Sequence, residues 1–158
     1  MVMNVVVQDS VKELRHVINE YASRIASIPD AEMSVKPRPE KWSKKEVVGH
    51  LVDSAQNNLR RFICGQYESN PSISYEQDFW VTANAYQHMT TSDVINLWKL
   101  LNERISVILE TMPSENYERQ CIAGGHARTL AWLAQDYVKH LKHHLNQIIP
   151  NAFDIKYP

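Results

Sequence analysis

Four stretches of this chain repeat apolar residues at intervals of three and four, and three of the four run into a proline. In the first, Val11, Leu14, Ile18, Tyr21, Ile25 and Ile28 form a narrow seam before Pro29. Asp9 or Ser10 stands where an N-cap belongs. The second begins at "WSKKE", where Ser43 and Glu46 have the spacing of a capping box, and is expected to run from Ser43 to Cys64 with Gly65 as its stop. The third starts near Ser92 or Asp93, carries Val94, Trp98, Leu101, Ile105, Ile108 and Met112, and ends at Pro113. The fourth spans Thr129 to Ile149 and ends at Pro150. Such spacing puts each apolar set on one face of a helix. Four amphipathic helices with no strand periodicity predict an all-α four-helix bundle.

Two connections are long. Residues 66–90 are rich in aromatics, and Tyr75, Phe79, Trp80 and Tyr86 must pack on something, with a short helix expected around Trp80. Residues 113–128 hold Gly124-Gly125 and read as a loop. Connections of this length permit a crossover topology.

At 158 residues, 44% hydrophobic, the chain reads as one domain, 1–158, with a core of its own. Seventeen basic residues stand against eighteen acidic ones, so there is no electrostatic case for nucleic acid or an anionic membrane surface. No apolar run reaches the roughly 20 residues of a membrane span. The opening "MVMNVVVQDS" lacks the basic region and long apolar core of a secretory signal. Cys64 and Cys121 lack C-x-x-C spacing and read as a reduced pair in a cytoplasmic protein.

The densest chemistry is "DYVKHLKHHLNQI", residues 136–148. At 100° per residue, His144 falls roughly 60° and His140 roughly 100° from the centre of the apolar stripe of that helix. Both lie on one shoulder, whereas His143 falls roughly 160° away, toward solvent. His140 and His144 are four apart and can converge on one ion, and Asp136 extends the row. The H-x-x-x-H spacing is that of zinc metalloproteases, but Leu141, Lys142 and His143 intervene and the basic glutamate is missing. The pair fits either a metal site or two hydrogen-bonded histidines, and a metal site needs a third ligand from another segment.

"KWSKKEVVGHLVDSAQNNLRRF", followed much later by "HLKHHLNQI", resembles the DinB-like family, which includes the YfiT-type proteins. The resemblance covers about Ser10 to Ile149. It implies an up-down-down-up bundle, frequently dimeric, with three histidines on a divalent ion such as zinc or nickel. His50 is then the third ligand beside His140 and His144. The implied activities are hydrolysis or transfer using a low-molecular-weight thiol. One feature of the pattern sits apart: Val48, Val52, Ala55, Leu59 and Phe62 form the apolar stripe of the second helix, and His50 lies roughly 150° from its centre. The resemblance requires this polar row to line an internal cavity.

Three neutral histidines leave positions open on an ion, the arrangement of catalytic sites. An ion so held lowers the pKa of bound water or a thiol, which suits hydrolysis and thiol transfer alike. Asp53 and Asp136 are candidates to orient the histidines, and Glu76 and Asp78 to act as general base. Tyr75 and Trp80 either wall a pocket or plug the bundle end. Asn57 and Arg61 are candidates to bind a polar or anionic substrate group. The rival class is a non-catalytic helical module that binds a metal or a partner. Trp132, opposite the stripe of the fourth helix, is a candidate contact for a homodimer.

Overall fold

The first seam folds as expected but starts earlier. In the computed structural model, which describes residues 2–158 and the side chains from residue 5, helix α1 spans Val2–Ala26. Val7 is 1% exposed and extends the seam N-terminally, so the helix has no reason to begin at Asp9 or Ser10. Ser10 Oγ instead donates to the Val6 carbonyl (2.8 Å), one turn back. After a single turn, α2 (Asp30–Met33), comes α3 (Lys44–Tyr67). Its capping box is complete: Ser43 Oγ accepts from the Glu46 amide (3.1 Å) and Glu46 Oε2 from the Ser43 amide (2.8 Å).

Gly65 does not end α3. The helix continues through it to Tyr67, and the glycine makes room for another chain segment: a Cβ there would lie 2.6 Å from Leu130 Cδ2. Gly49 does the same for the Tyr86 ring, which would be 2.1 Å from an added Cβ. Helices α4 (Gln77–Asn84), α5 (Thr91–Thr111) and α6 (Leu130–Ile148) complete the set. Thr90 and Thr129 cap α5 and α6 through their hydroxyls.

Residues 113–128 do not form a plain loop. Strands β1 (Gln120–Ala123) and β2 (His126–Thr129) pair antiparallel, Ala123 opposite His126, about a two-residue turn at Gly124 (φ 57°) and Gly125 (φ 80°). Glycine tolerates positive φ at both centres of such a turn. Main-chain bonds from Ile73 and Ile122 tie the hairpin to residues 71–73.

Contacts fix the direction of each long helix. Arg15 on α1 pairs with Glu110 on α5 (2.7 Å), and Asp30 just after α1 bonds Thr91 at the start of α5, so these two run antiparallel. Glu13 pairs with Lys142, and Tyr21 reaches Ala152, so α6 runs with α1. Gly65 meets Leu130 while His50 meets His144, so α3 opposes α6. The bundle is up-down-down-up, with α3 and α5 as parallel neighbours. The chain must therefore return the length of the bundle between them, and residues 68–90 do so along α3. Arg61 holds Ile73, Asp53 holds Asn84 and Tyr86, and Ser43 holds Gln87.

This strap covers a second face of α3. Residues 45–55 of that helix are all buried, polar and apolar alike. The core proper runs through Leu14, Ile25, Val48, Phe62, Trp98, Ile105, Leu130 and Leu145, each at most 1% exposed. Cys64 and Cys121 are buried free thiols. No described helix is long and apolar enough to cross a membrane.

The close approach at Gly49 makes a test of the strap. Gly49→Ala should destabilise by about 2 kcal/mol despite the better helix propensity of alanine, because a rigid ring must move. Urea denaturation reads this as a lower midpoint at an unchanged slope. An unchanged midpoint would mean that Tyr86 does not pack there.

Candidate metal centre

His140 and His144 occupy successive turns of α6, and antiparallel packing sets them against the N-terminal part of α3. There His50 projects into the contact. His50 Nε2 lies 3.3 Å from His140 Nε2 and 3.2 Å from His144 Nε2. One nitrogen from each ring falls within a 4.8 Å cluster. His50 is fully buried, His144 is 9% exposed and His140 is half-buried. The Trp42 ring packs on His50 with centroids 4.9 Å apart.

The outer nitrogens differ in what holds them. His144 Nδ1 donates to Gln147 Oε1 (3.0 Å), which leaves the lone pair on Nε2, facing the other rings. His140 Nδ1 is 3.5 Å from Ser54 Oγ. His50 Nδ1 is buried without a hydrogen-bond partner. Burial, reinforced by the neighbouring histidine, pushes the pKa of His50 down to about 3. Burial, reinforced by the neighbouring histidines and by Arg61, takes His140 to about 2. His144 is lowered too, chiefly by burial. All three rings are neutral at pH 7.

Three neutral imidazoles whose Nε2 atoms converge on one point fit a divalent cation. Histidine binds a metal ion as the neutral ring, and these rings are already neutral. A proton could bridge only one pair at a time. The cluster holds no carboxylate or thiolate, so an ion on it would keep positions for other ligands.

The carboxylates expected to orient the rings are engaged elsewhere. Asp53 Oδ1 accepts from the Tyr86 hydroxyl (2.5 Å) and from Asn84 Nδ2 (3.1 Å), and its Oδ2 has no partner. Burial raises its pKa to about 6. Asp136 takes the Tyr157 hydroxyl (3.1 Å), and the Tyr157 ring packs on His140 and His143. The orienting group is Gln147, three residues after His144 and legible by that spacing, which sequence reasoning passed over. His143 is half-buried under Tyr157 and not open to solvent as expected.

Two cavities flank the cluster. The larger, about 960 Å³, is reached by His144, Gln147, Trp42 and Asp78. The smaller, about 230 Å³, is walled by His140, Ser54, Asn58, Arg61 and Tyr75 among others. Gln77 touches both. Glu76 and Asp78 are exposed, and only Asp78 borders a cavity. Trp80 packs edge-on against Tyr75 (5.7 Å) and borders neither cavity. Asn57 turns to the Asp53 carbonyl (2.9 Å), and Asn58 takes the cavity position instead. The reason is angular: from Ser54, Asn58 lies about 40° further round toward α6, while Asn57 lies about 60° back toward the strap.

Fold and site together describe a four-helix bundle with a buried three-histidine cluster. The sequence model of the DinB superfamily matches residues 13–148, and the chain belongs to that family. A relative in Bacillus mycoides strain KBAB4, named as a "putative metal-dependent hydrolase", is 31% identical over 71 residues, 44% of this chain and 41% of that protein. One of the same name in Bacillus cereus strain B4264 is 30% identical over the same length. The chain thus spans less than half the length of these curated relatives. Among solved structures, YfiT from Bacillus subtilis, described as a "probable metal-dependent hydrolase with an unusual four-helix bundle topology", superposes with a TM-score of 0.81 at 23% identity. It covers 90% of this chain and 83% of that one. A mycothiol-dependent maleylpyruvate isomerase matches at a TM-score of 0.71 and 11% identity, over 88% of this chain and 59% of its own. Both share the fold.

The neutral rings set the acid response of the metal-free chain. In the unfolded chain they protonate near the ordinary 6.5, but His50 in the fold holds out to about 3. The unfolded state binds more protons between those values, so stability falls as pH falls through that window. Asp53 acts oppositely between 3.8 and about 6, and Asp136, also raised by burial, acts with it, but the three rings outnumber these two. Chelator-treated protein should lose stability steadily from pH 6.5 to 4 in thermal melts. A flat profile would mean that the rings are already charged in the fold.

Proposed function

We propose that this chain is a metal-dependent enzyme holding one divalent ion, zinc or nickel, on His50, His140 and His144. The observation that carries the reading is the convergence of three neutral, buried Nε2 atoms between two cavities. When bound, such an ion supplies Lewis acidity, lowering the pKa of a water or thiol and polarising a substrate. The protein's part is positional. Gln147 fixes the tautomer of His144, Trp42 packs against the ring of His50, and burial keeps all three rings deprotonated. Of the acidic candidates, Asp78 borders the same cavity as His144, which supports it as the group that takes a proton from a nucleophile there. Two adjoining cavities and only three protein donors speak against a purely structural metal module.

Hydrolysis is the first reading, supported by the names of the curated relatives. Thiol transfer is the second, and the pair of cavities favours it by giving room for two organic reactants on either side of the cluster. The test is elemental analysis of protein purified without an affinity tag. About one zinc or nickel per chain is expected. The His140→Ala, His144→Ala double variant should lose it. Wild-type protein that stays metal-free after reconstitution would sink the proposal. An assay of esters and amides, with and without added thiol, then separates the two reactions.

Gln147 gives a finer test. Gln147→Leu should weaken zinc affinity by about 10- to 100-fold while the fold stays intact by circular dichroism. Unchanged affinity in a competition titration would mean that the Gln147 bond does not orient the ligand.

A further inference from the structure

The smaller cavity holds two opposite charges that form no direct ion pair. Arg61 and Asp136 both line it, and no described ion pair joins them. Arg61 has five N–H donors. Nε and Nη2 serve the Ile73 carbonyl (3.0 and 2.8 Å) and Nη1 serves Asn58 Oδ1 (3.3 Å), so three are used and two N–H groups remain. The guanidinium is thereby fixed in place, with its Cζ 5.9 Å from the centre of the Tyr75 ring. Asp136 can accept up to about four hydrogen bonds and takes one from Tyr157. Both side chains are half-buried. Lys139, Arg128 and Arg61 act on Asp136 through space, but two half-buried charges sharing a small polar space, each with hydrogen-bonding capacity unused, are complementary to a molecule carrying both signs close together.

At about 230 Å³ the cavity is below the range for drug-sized ligands. It suits a headgroup. A simple anion would meet the Asp136 carboxylate, and a simple cation would meet Arg61. We infer that this cavity binds the zwitterionic head of an α-amino acid, free or as the end of a larger molecule, with the carboxylate on Arg61 and the ammonium on Asp136. His140 forms another part of the wall, so the rest of such a molecule lies beside the histidine cluster. As a substrate subsite the assignment rests on the metal-enzyme reading; as a binding site it needs no metal.

The experiment is calorimetric titration of the full chain, metal-free and zinc-loaded, with L-alanine, N-acetyl-L-alanine and L-alaninamide. L-alanine is expected to bind the metal-free chain at least about tenfold tighter than either blocked analogue, since each leaves one half-buried charge unpaired. Asp136→Asn keeps an acceptor for Tyr157. It should weaken L-alanine and L-alaninamide by about tenfold and leave N-acetyl-L-alanine unaffected or improved. Arg61→Lys, which keeps the charge and loses the fork, should weaken L-alanine and N-acetyl-L-alanine. Circular dichroism checks that both variants fold. Blocked analogues that bind as well as L-alanine, or no L-alanine binding at all, would overturn the assignment. Binding seen only with zinc present would also overturn it, because an amino acid can chelate the ion. Zinc content, measured on the same samples, tests the metal centre separately: a chain that holds zinc and ignores L-alanine keeps its proposed function and loses this subsite.

Discussion

The parallel contact between α3 and α5 is the constraint from which the rest follows. Antiparallel neighbours can be joined by a short turn, but parallel ones need a return path the length of the bundle. Residues 68–90 are that path, and they lie along α3 and not over open surface. A helix of this kind ordinarily shows one face to the core and one to water. Helix α3 instead meets α5 on its apolar stripe, α6 on one polar flank and the strap on the other. Its polar row thereby becomes interior without any change in its residues.

An interior polar row must be satisfied or neutral. The flank toward the strap is satisfied at one oxygen: Asp53 Oδ1 takes Tyr86 and Asn84, while Oδ2 stays buried without a partner and burial raises the pKa of the group. The flank toward α6 is also only partly satisfied. His50 and His140 have short ring-to-ring contacts between nitrogens that cannot all be donors, and burial removes the option of charging them. The fold thus holds in place a set of lone pairs that pack poorly without a cation. That is a property of the topology as much as of the histidines, since the same residues on a two-faced helix would sit in water.

This is also why the sequence was legible in some places and not in others. The helices were readable because their seams, caps and prolines are local signals. Ser43 with Glu46, Thr129 and Pro113 act within a turn of where they stand. Gly65 misled because glycine has two uses, and the one that applies here, space for Leu130, depends on a residue 65 positions away. The hairpin at residues 120–129 has strands of four residues, too short for alternation to show, and only the Gly-Gly turn marked it. On α6, His140 and His144 were readable from spacing. On α3, periodicity alone placed His50 on the wet side, because the covering strap is a tertiary fact; the family resemblance supplied it. Asn57 was preferred to Asn58 for the same reason: the direction from which α6 approaches is not written in the α3 pattern.

The three rings are held by unequal means, and the inequality bears on how the cluster works. A ligating histidine is usually steered by a hydrogen bond on its far nitrogen, which fixes the tautomer and strengthens the near nitrogen as a donor. His144 has that bond from Gln147, and His140 has a long contact to Ser54. His50 has none, and Asp53, one turn along with an oxygen to spare, is already claimed by Tyr86. What fixes His50 is packing: full burial, the Trp42 ring against its face, and two histidine rings at its edge. Packing sets position without choosing a tautomer. The ring best fixed in space is therefore the one least committed electronically, and His144, the ring with its tautomer fixed by hydrogen bonding, is the one that faces the larger cavity. The small cavity instead borders His140, whose far nitrogen has only the long contact to Ser54.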